Sequence, residues 1–120
     1  MSRFSIPAVA ASLMLVSTSA LGHAELQTTT PAADATVQTA LPEIALEFTE
    51  DVEPMFSTIE VKDDKGARVD NGDVHVAPGN AKRLAVGLKA LQPGTYTVTW
   101  RITSTDTHKI SGNFDFKVAQ

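Results

Sequence analysis

From Thr95 to Ile102 the chain alternates without a break, with Tyr96, Val98, Trp100 and Ile102 on one side and Thr95, Thr97, Thr99 and Arg101 on the other. A period of two sends successive side chains to opposite faces, so this stretch is a strand with one buried face. The pattern recurs in Ile44, Leu46 and Phe48, in Ile59 and Val61, in Val74 and Val76, in Leu84, Val86 and Leu88, and in Phe114, Phe116 and Val118. Asp63-Asp64-Lys65-Gly66 and Pro78-Gly79-Asn80 supply turns between them. Adding the segment from Glu25 to Thr30 gives about seven short strands and no helix after residue 22. Leu91-Gln92-Pro93-Gly94-Thr95-Tyr96 has the form of a tyrosine corner, in which the phenol ties back to nearby backbone. The predicted class is all-β, an Ig-like Greek-key sandwich or barrel.

Residues 1–22 are of another kind. Arg3 makes a short positive start, Ile6 to Val16 is apolar except at Pro7 and Ser12, and Ser17-Thr18-Ser19 leads to small residues at Ala20 and Gly22. That order predicts a signal peptide cleaved after Gly22, leaving residues 23–120 as one domain. The apolar run is shorter than the roughly 20 residues a spanning helix needs, so the mature chain is expected to carry no membrane anchor and to be periplasmic. Arg3 leaves with the leader, so 10 basic side chains become 9 against 14 acidic ones, a net charge of about −5. Nucleic-acid binders carry basic stripes, and this chain has none. Cysteine is absent. No disulfide can staple the core, and no thiolate can bind a metal.

Cleavage after Gly22 makes His23 the first residue. A terminal histidine offers a metal its α-amine and its imidazole Nδ1, which close a six-membered chelate ring. Asp106-Thr107-His108 supplies a carboxylate and a second imidazole far along the chain. Three nitrogens and one carboxylate oxygen suit tetragonal Cu(II), the strongest binder of the divalent series. For His23 to meet His108, the fold must bring the two ends of the mature chain together. Asp106 and His108 would share a face on a regular strand, and a loop after Ile102 could converge them equally well. Glu50 closes a strand and could bond a ligand imidazole or a coordinated water.

Several longer motifs accompany these residues. They are His23-Ala24-Glu25-Leu26, the strand from Ile44 to Glu50, the run from Pro93 to Arg101, the run from Ser104 to Gly112, and Phe114-Asp115-Phe116-Lys117-Val118. Together they resemble the CopC family of periplasmic copper carriers over essentially the whole mature chain; W-R-x-x-S-x-D-x-H-x-x-x-G is the most specific element. The resemblance implies one Cu(II) per monomer, with His23, Asp106 and His108 as ligands and Glu50 beside the metal. It also implies copper homeostasis or resistance as the setting, with a CopD-like inner-membrane transporter or other periplasmic copper proteins as partners. Some members carry a Met-rich loop for Cu(I). With Met1 and Met14 in the leader only Met55 remains, too few sulfur donors for such a site.

Blander readings stand beside these. His23 could be an incidental surface residue, Asp106-Thr107-His108 a solvated turn, and Glu50 part of a solvated acidic strand end with Asp51 and Glu53. His75 reads as an exposed strand residue, Met55 as a packed loop residue, and Trp100 as core. Among functions, a non-catalytic Cu(II) carrier leads. A copper-dependent oxidative enzyme using an N-terminal histidine brace is the alternative; it would need an exposed, often aromatic, binding face. A metal-free adhesion sandwich and a zinc carrier complete the field.

Overall fold

The structure is a computed structural model and describes residues 24–38 and 41–120. The segment expected to be a leader, its expected cleavage point and His23 lie outside the described residues.

Among the described residues, eight strands form two four-stranded sheets. The first contains β1 (Leu26–Thr30), β3 (Glu43–Phe48), β6 (Asn80–Gly87) and β5 (His75–Ala77), in the order β1-β3-β6-β5 and antiparallel throughout. The second contains β2 (Thr36–Val37), β8 (Lys109–Val118), β7 (Gly94–Thr103) and β4 (Thr58–Lys62), in the order β2-β8-β7-β4. Seven of these are the expected strands. The addition is β2, a two-residue edge that pairs parallel with the end of β8. Among the described residues the only helical piece is a 3-10 turn at Pro54–Phe56, and no helix is long and apolar enough to cross a membrane.

The alternation translates directly into packing. Ile44, Leu46 and Phe48 from one sheet and Val98, Ile102 and Phe116 from the other are at most 1% exposed and meet in a single core. Phe48 meets Trp100 edge-on at 5.4 Å between ring centroids, and Tyr96 stacks on Phe116 at 5.5 Å, the two arrangements that aromatic quadrupoles favour. The tyrosine corner forms, with Tyr96 Oη donating to the Gln92 carbonyl at 2.5 Å. β8 begins at Lys109, earlier than the apolar residues suggested, pairing with β7 from Thr103 on, and Gly112 lies opposite Trp100. A Cβ there would stand 2.6 Å from Trp100 Cζ2, so the indole occupies the space a side chain would need.

One buried ion cluster staples the sheet edges. Asp70, 3% exposed, accepts from Arg68 Nε and Nη2 and from the Val61 and Gly72 backbone N–H groups. Burial works against its charge, but the guanidinium and the two N–H groups outweigh it and hold the carboxyl below its ordinary value. A depressed folded value means the stabilisation is complete above the unfolded value of about 4 and is lost as pH falls through the folded one. Asp70→Asn is therefore expected to cost about 2 kcal/mol near neutral pH, where charged hydrogen bonds are lost. Urea melts of both chains from pH 7 to pH 2 would check this, since the gap between them should narrow below about pH 4.

Met55 departs from expectation. It and Phe56 are 86% and 70% exposed, not packed. The Pro54–Phe56 turn is tied down through its backbone, with Phe56 N donating to the Glu53 carbonyl and Thr103 Oγ1 to the Phe56 carbonyl. Those bonds fix the main chain and leave both side chains facing outward.

Candidate metal site

The segment from Thr49 to Glu53, which follows β3, joins three parts of the chain. On one side Thr49 N donates to the Glu25 carbonyl at 2.8 Å and Thr49 Oγ1 accepts from Glu25 N at 2.8 Å. These bonds hold the start of the described chain, where Ala24 is buried. On the other side Thr105 N donates to the Asp51 carbonyl, Val52 bridges Ser104, and Glu53 N donates to the Thr103 carbonyl. Glu50 thus sits between the beginning of the domain and the loop joining β7 to β8.

That loop, residues 104–108, holds the Asp-x-His motif. The strand ends at Thr103, so the loop geometry and not a strand face brings Asp106 and His108 together. Ser104 N donates to the His108 carbonyl at 2.8 Å and Thr107 N to the Ser104 carbonyl at 2.9 Å. Thr107 takes φ = 72°, a left-handed conformation uncommon for a β-branched residue. His108 Nδ1 ends 3.2 Å from Asp106 Oδ1. Two donors about 2.0–2.1 Å from one metal at right angles would lie about 2.9 Å apart, so this pair is close to the spacing of neighbouring ligands.

The electrostatics favour a cation. The Asp106 carboxyl is held below the usual carboxylate range, first by the hydrogen bond it accepts from Ser104 Oγ. Desolvation opposes this, and the His108 charge and backbone N–H reinforce it. Its negative charge therefore persists to lower pH than that of an ordinary carboxylate. Asp51 next to Glu50 is paired with Lys82 Nζ at 3.4 Å, both half-exposed, a contact worth little.

Of the expected residues, Asp106 and His108 stand side by side in the β7–β8 loop, and Glu50 lies on the neighbouring segment, which bonds that loop through Asp51 and Val52; His23 is outside the described residues. His75 stands apart on β5, exposed, with Nδ1 2.7 Å from the Asp73 carbonyl. Among the described residues no group of three or more His, Asp or Glu side chains could hold a metal by itself. Sequence reasoning passed over Ser104, although a serine two residues before an aspartate is a familiar local-bonding signal.

Comparison with known proteins agrees with this architecture. Residues 26–119 match the CopC domain. Protein YobA of Escherichia coli K12 is 38% identical over 105 residues, covering 87% of this chain and 85% of that protein. Copper resistance protein C of Escherichia coli is 38% identical over 114 residues, covering 88% and 89%. Among solved structures, CopC from Methylosinus trichosporium OB3b superposes with a TM-score of 0.75 at 29% identity, over 81% of this chain and 94% of that one. With the family's domain spanning nearly all the described residues on a matching two-sheet fold, the chain belongs to the CopC family.

Proposed function

We propose that this protein is a periplasmic copper carrier or buffer, exported by residues 1–22. In this reading one Cu(II) is held by the His23 amine and Nδ1, by Asp106 and by His108. A relative, copper resistance protein C of Escherichia coli, is named for copper resistance. The observation that supports the reading is the pairing of Asp106 with His108 in a loop bonded through Asp51 to the segment whose Thr49 holds Glu25, near the start of the described residues. Asp106 and His108 alone are two donors short of a tetragonal field, and a terminal His23 supplies two nitrogens. Glu50, on the segment bonded to the Asp106 loop, is assigned an orienting part beside the metal. The carrier would exchange copper with a CopD-like transporter or other periplasmic copper proteins.

An oxidative enzyme built on a histidine brace is less well supported. Phe48, Tyr96, Trp100 and Phe116 are committed to the core, and Phe56 on its turn offers one exposed ring rather than a flat aromatic face. Met55, alone and exposed, is a poor basis for a Cu(I) site.

Calorimetric titration of the mature chain with Cu(II) is expected to give one tight site, with a type 2 electron paramagnetic resonance spectrum showing nitrogen couplings. A second tight site that disappears in Met55→Ala, or no Cu(II) binding at all, would contradict the proposal.

A further inference from the structure

Asp106 and His108 pose a problem that the ligand assignment leaves open. Their side chains are 48% and 44% exposed, so little packing restricts their rotamers. A half-exposed carboxylate with nothing packed around it samples several orientations, and ordering it when the metal arrives costs entropy. The loop backbone adds to the difficulty, because the left-handed Thr107 is strained and must be held in place.

Ser104 meets both requirements. It is 1% exposed, one of the most deeply buried polar residues of the domain. Its hydroxyl donates to Asp106 Oδ1 and accepts from the His108 backbone N–H at 3.1 Å. The remaining contact, with the His108 carbonyl at 3.4 Å, is too long to compete for the one proton the hydroxyl has to give. Its backbone N–H and carbonyl bond His108 O and Thr107 N, closing the loop around the left-handed residue. Its pairing with Val52 anchors the loop to the segment that carries Glu50. One buried side chain therefore touches both motif residues, and its backbone leads to the third.

We infer that Ser104 is the positioning residue of the metal loop, its buried hydroxyl fixing the Asp106 carboxylate and the His108 main chain in the arrangement that receives the metal. The inference rests on the Cu(II) reading above. The hydroxyl need not touch the metal; it acts through Asp106.

A double-mutant cycle separates this from a merely structural role. Cu(II) affinity, by competition with a chromophoric chelator, and paramagnetic resonance spectra are measured for the unaltered mature chain, Ser104→Ala, Asp106→Ala and the double variant, with thermal melts of each apo form. Ser104→Ala is expected to weaken binding about 10- to 100-fold, the usual effect of losing a group that orients a ligand, and to broaden the copper spectrum. In the Asp106→Ala background the same change should weaken binding much less, because the group it acts through is gone. Equal weakening in both backgrounds, or unaltered affinity in Ser104→Ala, overturns the inference. If Ser104→Ala does not fold, hydrogen exchange on the unaltered chain decides: a protected His108 amide supports the fixed loop, and exchange at the unfolded rate refutes it. Failure of the unaltered chain to bind Cu(II) would refute the carrier reading itself, a different result from additivity within the cycle.

Discussion

His108→Ala is expected to weaken Cu(II) binding about 100- to 1,000-fold while leaving the apo fold intact. The magnitude follows from four-donor metal sites, whose apparent binding free energies of about 10–16 kcal/mol imply about 2.5–4 kcal/mol per donor. At 1.4 kcal/mol per decade that is roughly two to three orders of magnitude. The fold should survive because His108 is outside the core, its side chain half-exposed on a loop held by Ser104, Val52 and Asp51 through backbone bonds. Asp106→Ala removes one oxygen donor and leaves the nitrogens, so its loss should be smaller, and Glu50→Ala smaller still. Competitive titration against a chromophoric chelator, with circular dichroism on each apo variant, measures the series. A His108→Ala chain that binds within a few-fold of the unaltered one would remove His108 from the site.

The fold was legible because its core residues are apolar and alternate. Tyr96, Val98, Trp100 and Ile102 announce β7 in any reading, and all four are buried. Where the apolar signal thins, the sequence falls silent. β2 is two residues long, too short to show a period, and exists because Thr36 and Val37 pair with the tail of β8. The first half of β8 runs through Ser111, Gly112 and Asn113, which pair across the ladder with Arg101, Trp100 and Thr99, and the indole of Trp100 fills the space a side chain at Gly112 would need. Met55 was misjudged because an apolar loop residue usually packs, whereas here backbone bonds to a 3-10 turn hold it outward. At the site, residue types and spacing, read with the family resemblance, pointed to Asp106 and His108, which lie 3.2 Å apart. What they could not reveal was the latch through Thr49 and Asp51 or the buried hydroxyl of Ser104, since both depend on contacts between segments remote in sequence.

The account turns on His23 acting as a terminal chelate, and one extra residue ahead of it is the sharpest probe. A glycine placed before His23 converts the amine to an amide, which does not bind metal without losing a further proton, and leaves the six-membered ring incomplete. Everything else is retained: the imidazole of His23, Asp106, His108, the latch at Glu25 and Thr49, and the charge of every side chain. One donor and the chelate ring are lost together, so the expected weakening is at least that of His108→Ala, about 100- to 1,000-fold or more. The measurement is a competitive Cu(II) titration of the chain beginning at His23 beside the chain beginning one residue earlier, each start verified by mass spectrometry. The account predicts that the extended chain loses two or more orders of magnitude in affinity and one nitrogen coupling from its spectrum. Equal affinity and an unchanged spectrum would contradict it.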